Sequence, residues 1–317
     1  MMVIEGTSPL VSIITATYNR SNVLALTLAS VRWQTFRDWE LWVVGDACTD
    51  DTEQVVAAFG DARIHFVNLE QNVGEQSGPN NEGFRRSRGR YIAYLNHDDF
   101  WLPDHLETAL RGIEETGADL VFALVDQVAR EGPNRLVGAT PTGRYEPYIF
   151  VPASSWFLRR ELLEEIGPWR FYRECYEAPS ENWLFRAWKA GKDMRLTPWM
   201  TVVSIPSEAG RLGVYAKREI QEHQRYYDRM SRESDFRERE LTAIALKHAA
   251  WEIASKPVGT HLAGAIKHSI RRVCVALGIH PVTVRRFFRY YRKGGMVDSG
   301  RRLKGLRPLG QRERRNI

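Results

Sequence analysis

Short apolar runs and helical stretches take turns over the first hundred residues. Val11-Ser-Ile-Ile-Thr-Ala16 is rich in β-branched residues between polar neighbours and predicts a strand. Leu41-Trp-Val-Val44 predicts a second, ending at Gly45-Asp46, and Ile64 to Val67, Tyr91 to Leu95 and Leu120 to Val125 read as three more. Between them, apolar positions recur at helical spacing: Leu24, Leu28 and Val31 within Val23 to Trp33, and Leu106, Leu110 and Ile113 within Asp104 to Thr116. Thr49-Asp50-Asp51 offers N-caps for a helix running to Phe59. Strand and helix in alternation predict βαβ units, hence an α/β fold with a mostly parallel sheet flanked by helices.

Beyond Val125 the pattern loosens. Gly, Pro and Arg punctuate residues 130 to 155, aromatic residues crowd Tyr145 to Trp188, and Val214 to Ser255 is polar and helix-forming. A helical pair is expected around 260–277 and 281–293, with fraying after Gly294.

Charge separates this last region from the rest. From Lys256 onward sixteen Lys and Arg face two acids, a net of +14, so that residues 1–255 carry −8 within a chain total of +6. A mildly acidic body with a basic tail reads as two regions with two jobs. In Val284-Arg-Arg-Phe-Phe-Arg-Tyr-Tyr-Arg-Lys293, Arg285, Arg289 and Arg292 share one side of a helix, with Phe287, Phe288 and Tyr291 towards the other. Such a helix suits an anionic membrane surface, docking on the protein's own body, or nucleic acid. The expectation is a tail that serves location rather than chemistry, at a membrane surface or on the body, with no nucleic-acid partner. Cys48, Cys175 and Cys274 are too scattered for a disulfide framework or a metal site, which fits a reducing compartment. The first nine residues lack the pattern of a secretory signal, and no run of about 18 apolar residues predicts a membrane span. The expected location is cytoplasmic, with peripheral attachment to the inner face of a membrane as an option.

In open α/β sheets, ligands sit at the carboxyl ends of the strands. The segments there are polar: Thr17-Tyr18-Asn19-Arg20, Gly45-Asp46 and Asn96-His97-Asp98-Asp99. Asp98 and Asp99, adjacent carboxylates at a strand exit, repel each other unless a cation or a basic partner offsets the charge. Mg²⁺ or Mn²⁺ suits them, since such ions take one or two carboxylates plus substrate phosphates; an acidic first turn before a helix is the alternative. Asp46 suits a ribose hydroxyl or a base N–H, or a plain turn. His97 could be a ligand or a loop histidine with one hydrogen bond. Thr15–Arg20 contains no Gly, which excludes both the Gly-x-Gly-x-x-Gly of a dehydrogenase and the phosphate loop of a nucleotidyltransferase.

Taken together, these segments resemble the family-2 glycosyltransferases, whose fold is GT-A. The resemblance runs closely from Leu10 to Asp104 on Val11–Arg20, Ser30–Leu41, Val43–Thr52, Asn72-Val-Gly74 and Gly89–Asp104, five motifs in order. It implies transfer of a sugar from a metal-bound nucleotide diphosphate to a hydroxyl of a glycan or lipid-linked acceptor, with inversion at the anomeric carbon. It implies a nucleotide-sugar-binding half at 1–105, an acceptor-binding half at 106–210 and a helical basic extension at 211–317. Ala16 and Tyr18 would border the base, Asp46 would hydrogen-bond it, and Asp98, with Asp99, would hold the metal. Asn96 fills the first position of the family's Asp-x-Asp motif, where it can still bond a ribose hydroxyl but brings no charge. His97 completes the donor-side set. Asn80-Asn81 stands near a frequent Arg-Asn pair, so a cation is missing there. Ser180-Glu181-Asn182-Trp183-Leu-Phe-Arg186 best matches the segment bearing the family's general base, which makes Glu181 the base; a helix-capping acid is its alternative. The Asn96 and Asn182 departures keep a non-catalytic sugar-binding or scaffold protein on the same fold as the rival reading.

Overall fold

The computed structural model describes residues 8–129, 134–206, 218–254 and 269–306. The first four strands are β1 (Val11–Thr17), β2 (Trp39–Gly45), β3 (Ile64–Asn68) and β4 (Tyr91–Tyr94). They pair in parallel in the order β3-β2-β1-β4. Val11, Ile13 and Ile14 of β1 are fully buried, as expected of a central parallel strand covered on both faces. Ile13 and Ile14 point to opposite faces and enter two separate core clusters. Helices α1 (Ser21–Arg32) and α2 (Thr52–Ala57) form where their spacing and caps predict. The buried stripe of α1 is Val23, Leu24, Leu28 and Val31.

Helix α3 (Ser77–Arg86) escapes the apolar pattern because it carries Gly78, Pro79 and Gly83 where a stripe would be. A Cβ on Gly83 would lie 2.5 Å from Ile14 Cγ2, so only glycine lets α3 rest this close to β1.

The sheet beyond β4 is mixed rather than mostly parallel. It adds β5 (Asp99–Trp101), β6 (Leu120–Gln127), β7 (Arg135–Val137), β8 (Trp156–Arg159) and β9 (Met194–Ser204), with α4 (His105–Thr116), α5 (Arg160–Ile166) and α6 (Pro179–Lys189) among them. β8 runs antiparallel to both β4 and β6, and β9 runs parallel to β6. Two reversals cancel, so β6 and β9 point the same way as β1, β2 and β4. β9 hides in the sequence because Pro198 interrupts it and its pairing with β6 shifts register between Ala123 and Val125.

The aromatic residues of Tyr145 to Trp188 build core. Trp156, Trp169 and Trp183 are buried together with Tyr94, and their indole N–H groups donate to Val151 O, Tyr94 Oη and Gly167 O.

The C-terminal region holds α7 (Gln221–Arg232), α8 (Phe236–Ala254), α9 (Pro281–Tyr290) and α10 (Gly295–Leu303). His223, Tyr226 and Met230 of α7 are buried, the last two against Phe100, Met200 and Val203. Of the first expected helix of the basic pair, residues 260–268 lie outside the described residues, and 269–276 are helical. α9 covers the second only to Tyr290: Tyr291, at φ of 53°, ends the helix, so Tyr291 and Arg292 do not extend its two faces as expected. The expected fraying after Gly294 is replaced by α10, which contains Met296 and Val297 and packs against the body. No described helix is long and apolar enough to cross a membrane.

Candidate functional site

The carboxyl ends of β1, β2, β4, β6 and β9 open into one cleft of about 490 Å³. Its lining takes Ala16, Thr17 and Tyr18 after β1, Asp46 after β2, Asn96 to Asp99 after β4, Gln127 at the end of β6 and Ser204 at the end of β9. Asn19 and Ala47, in the turns after β1 and β2, have φ of 46° and 57°. Left-handed backbone at non-glycine residues is costly and concentrates at functional sites.

Asp98 and Asp99 both line the cleft but are held differently. Asp99 is 2% exposed, and its Oδ2 accepts from Asn96 Nδ2 at 2.8 Å and from Ser154 Oγ. Burial, with the Asp98 charge beside it, pushes the Asp99 carboxyl well above the usual carboxylate range. Asn96 thus uses its amide to hold Asp99, and Ser154 Oγ also accepts the Asn96 backbone N–H at 3.0 Å. His97 Nδ1 sits 3.2 Å from Ala16 O, and its Nε2 is 4.0 Å from Asp98 Oδ2. Burial keeps this imidazole below its usual range and hence neutral at pH 7. Among the described residues no group of three or more His, Cys, Asp or Glu side chains could cage a metal alone. The set would suit a hard divalent cation held through one protein carboxylate, Asp98, with water and phosphate oxygens completing its shell.

Asp46 lines the cleft with 4% exposure. Its Oδ1 accepts from Val73 N at 2.7 Å, and its Oδ2 from Gly74 N at 2.6 Å and Asn72 Nδ2 at 2.9 Å. The Asn72-Val-Gly74 motif is therefore the loop that this carboxylate ties down. Burial raises the Asp46 pKa, and the two backbone donors and the Arg301 charge offset part of that rise. Beside it stands Glu75, which sequence reasoning missed. Glu75 Oε2 accepts from Ser77 N and Oγ, both at 2.8 Å, while burial pushes the group up to about 7.

Glu181 lies at the third position of α6, next to the cleft-lining Ala178, Pro179 and Ser180. Its Oε2 accepts from Ala178 N at 2.9 Å, so the capping role exists. The same carboxylate is ion-paired with Arg286 of α9. The neighbouring Glu177 accepts from Thr283 Oγ1, and His280, 3% exposed, feels the charge of both acids while burial lowers its pKa. The basic tail therefore docks on the body at the residue expected to be the base.

A family model, glycosyl transferase family 2, matches residues 12–167. An uncharacterised glycosyltransferase of Bacillus subtilis, YwdF, is 32% identical over 216 residues, covering 63% of this chain and 75% of its own. The chain belongs to glycosyltransferase family 2. The B. subtilis teichuronic acid biosynthesis glycosyltransferase TuaG is 36% identical over 39% of this chain and 50% of its own. An Escherichia coli β-1,3-glucosyltransferase acting on α-D-GlcNAc-diphosphoundecaprenol, WfgD, is 38% identical over 31% and 38%. The chain thus spans half or less of the length of these two relatives. In fold, it superposes on residues 1–349 of TarS from S. aureus with a TM-score of 0.54 and 17% identity, covering 96% of this chain and 92% of that one. The likeness in fold therefore reaches beyond the Leu10 to Asp104 stretch on which the resemblance was closest.

The family match stops at residue 167, yet the cleft does not. Ser204 at the end of β9, Ile205 and Pro206 after it, and Met296, Val297, Gly300, Arg301, Lys304 and Leu306 of the C-terminal segment, also line it. The tail was expected to stay apart from the chemistry; instead α10 forms one wall of the cleft. No motif announced this, because a lone basic helix carries no mark of where it docks.

Proposed function

We propose that this chain transfers a sugar from a nucleotide-diphosphate donor to a hydroxyl of a glycan or lipid-linked acceptor, with inversion. The observation that carries the reading is the convergence of Tyr18, Asp46, Asn96 and Asp98 from three parallel strand ends on one cleft. Ala16 and Tyr18 border the base, and Asp46 sets the Val73–Gly74 turn beneath the nucleotide. Asn96 fixes Asp99 behind Asp98, so that Asp98 is the direct ligand of Mn²⁺ or Mg²⁺. Bound there, the cation offsets charge on the diphosphate leaving group. Solved structures of similar fold bear on this only as analogy: a Pyrobaculum calidifontis mannosyltransferase holds GDP-Man and Mn²⁺, and TarS 1–349 holds UDP-GlcNAc.

Glu181 is the base in this reading. The acceptor hydroxyl replaces Arg286 at its carboxylate and gives it a proton. The acceptor oxygen forms the new bond at the anomeric carbon, and the bond to the diphosphate oxygen breaks on the opposite face. The acceptor class follows the relatives, one of which acts on a diphosphoundecaprenol-linked sugar. Exposed apolar side chains in the tail support contact with such a substrate's membrane: Leu277, Phe288 and Tyr291 are 69%, 63% and 75% exposed in a segment that also carries Arg272, Arg285, Arg289 and Lys293, a composition that suits an anionic bilayer.

A thermal-shift panel of UDP-, GDP-, CMP- and dTDP-sugars with Mn²⁺, followed by donor turnover with and without EDTA, tests the proposal. Stabilisation by one nucleotide class and EDTA-sensitive turnover are expected, with Asp98→Asn folded but lowered by orders of magnitude. Binding without any turnover would favour the non-catalytic reading. Full activity of Asp98→Asn would remove the cation from the mechanism.

A further inference from the structure

The cleft is acid-rich. Asp46, Glu75, Asp98 and Asp99 line it, and Arg301 and Lys304 are the Lys or Arg residues among its described lining. A diphosphate carries two or more negative charges, and one divalent cation at Asp98 leaves such a site short of positive charge. Helix α3 brings no cation to the cleft through Asn80 and Asn81. Asn80 is buried, and the Asn81 side chain is engaged by the Trp169 backbone, donating to Trp169 O and accepting from Trp169 N, both at 2.9 Å.

Helix α10 faces the gap. Met296, Val297, Gly300, Arg301 and Lys304 fall on one helical face, and all five line the cleft. Arg301 Nη1 donates to Gly74 O at 2.7 Å, and its charge reaches Asp46. Lys304 lines the same cleft as His97 and Asp98. The two cations therefore stand on the cleft wall that α10 forms, Arg301 against the Asn72–Gly74 loop and Lys304 one turn further along.

The helix is anchored as a built element. Gly294 N donates to Cys175 O at 3.1 Å, and Gly294 has φ of 72°. A Cβ there would lie 2.6 Å from the Tyr172 ring, so glycine is required both for the turn and for the approach. Asp298, fully buried in the first turn of α10, is ion-paired with Arg292.

We propose that Arg301 and Lys304 of the C-terminal helix bind the donor's diphosphate, making the basic tail part of the donor site. The proposal rests on the nucleotide-diphosphate reading above. It accounts for the placement of two cations in a cleft otherwise lined by acids. Asn96 sets no negative charge against the phosphates, and the tail supplies the positive charge.

The test uses the full chain with Mn²⁺ and calorimetric titration of UDP, GDP, and the matching nucleosides uridine and guanosine. For whichever diphosphate binds, Arg301→Ala and Lys304→Ala should each weaken it about ten- to one-hundredfold, the loss expected of a charge-assisted contact. The nucleoside should change less than about twofold, and the diphosphate's salt dependence should flatten in the double variant. Because Arg301 also holds Gly74 O, Lys304→Ala is the decisive variant, with urea midpoints confirming that both fold. Unchanged diphosphate affinity in Lys304→Ala, or equal losses for diphosphate and nucleoside, overturns the assignment. Failure of the unaltered chain to bind either diphosphate would instead defeat the nucleotide-sugar reading itself, and the assignment with it.

Discussion

Replacing Asp46 by Ala removes a carboxylate that accepts from Val73 N, Gly74 N and Asn72 Nδ2 at 2.6–2.9 Å. Gly74 is buried, so its amide has no water to turn to and is left unpaired, at about 1–3 kcal/mol. The remaining two bonds to a charged acceptor would add more, but burying the carboxylate already has its own cost, seen in its raised pKa. The net expectation is a loss of about 3 kcal/mol in urea unfolding. Asp46→Asn keeps one acceptor oxygen and should lose about half of that. If Asp46 acts on the nucleotide by holding the loop, amide exchange at Val73 and Gly74 should accelerate in both variants, and UDP or GDP affinity should fall in proportion. Unchanged exchange and stability, with nucleotide binding lost, would refute the reasoning and return Asp46 to direct contact with the base.

Three further expectations follow from the same geometry. Glu75 titrates near 7 in the fold against 4.5 when unfolded, so its protonated form is favoured and stability declines as pH rises from about 4.5 to 7; Glu75→Gln should flatten that decline by about 2–4 kcal/mol in urea melts across the window. Glu181→Gln should retain diphosphate affinity and lose transfer, with anomeric inversion in the wild-type product; normal transfer by this variant would move the base to Glu177 or Asp193. Phe288→Ser combined with Tyr291→Ser should reduce sedimentation with anionic vesicles at low salt while leaving UDP or GDP affinity intact, and equal sedimentation would reject the surface contact.

The sequence by itself determined the nucleotide-side half. Its inner strands β1, β2 and β4 are buried on both faces and therefore appear as short, largely apolar runs, and their polar ends mark the cleft without any tertiary information. That is why Tyr18, Asp46, Asn96 and Asp98 could be named together. Tertiary structure decided the rest, for three different physical reasons. α3 is held by glycine against β1, and β9 runs through a proline and a register shift, so neither shows a period that a pattern can detect. Glu75 gains its character from burial beside Asp46, an environment assembled by chain segments almost thirty residues apart. The tail's helices could be anticipated from spacing, but a helix with arginines on one face is compatible with a lipid, with solvent or with an acidic cleft. Contacts across more than two hundred residues, Arg301 with Gly74 above all, decide that one face of α10 belongs to the cleft.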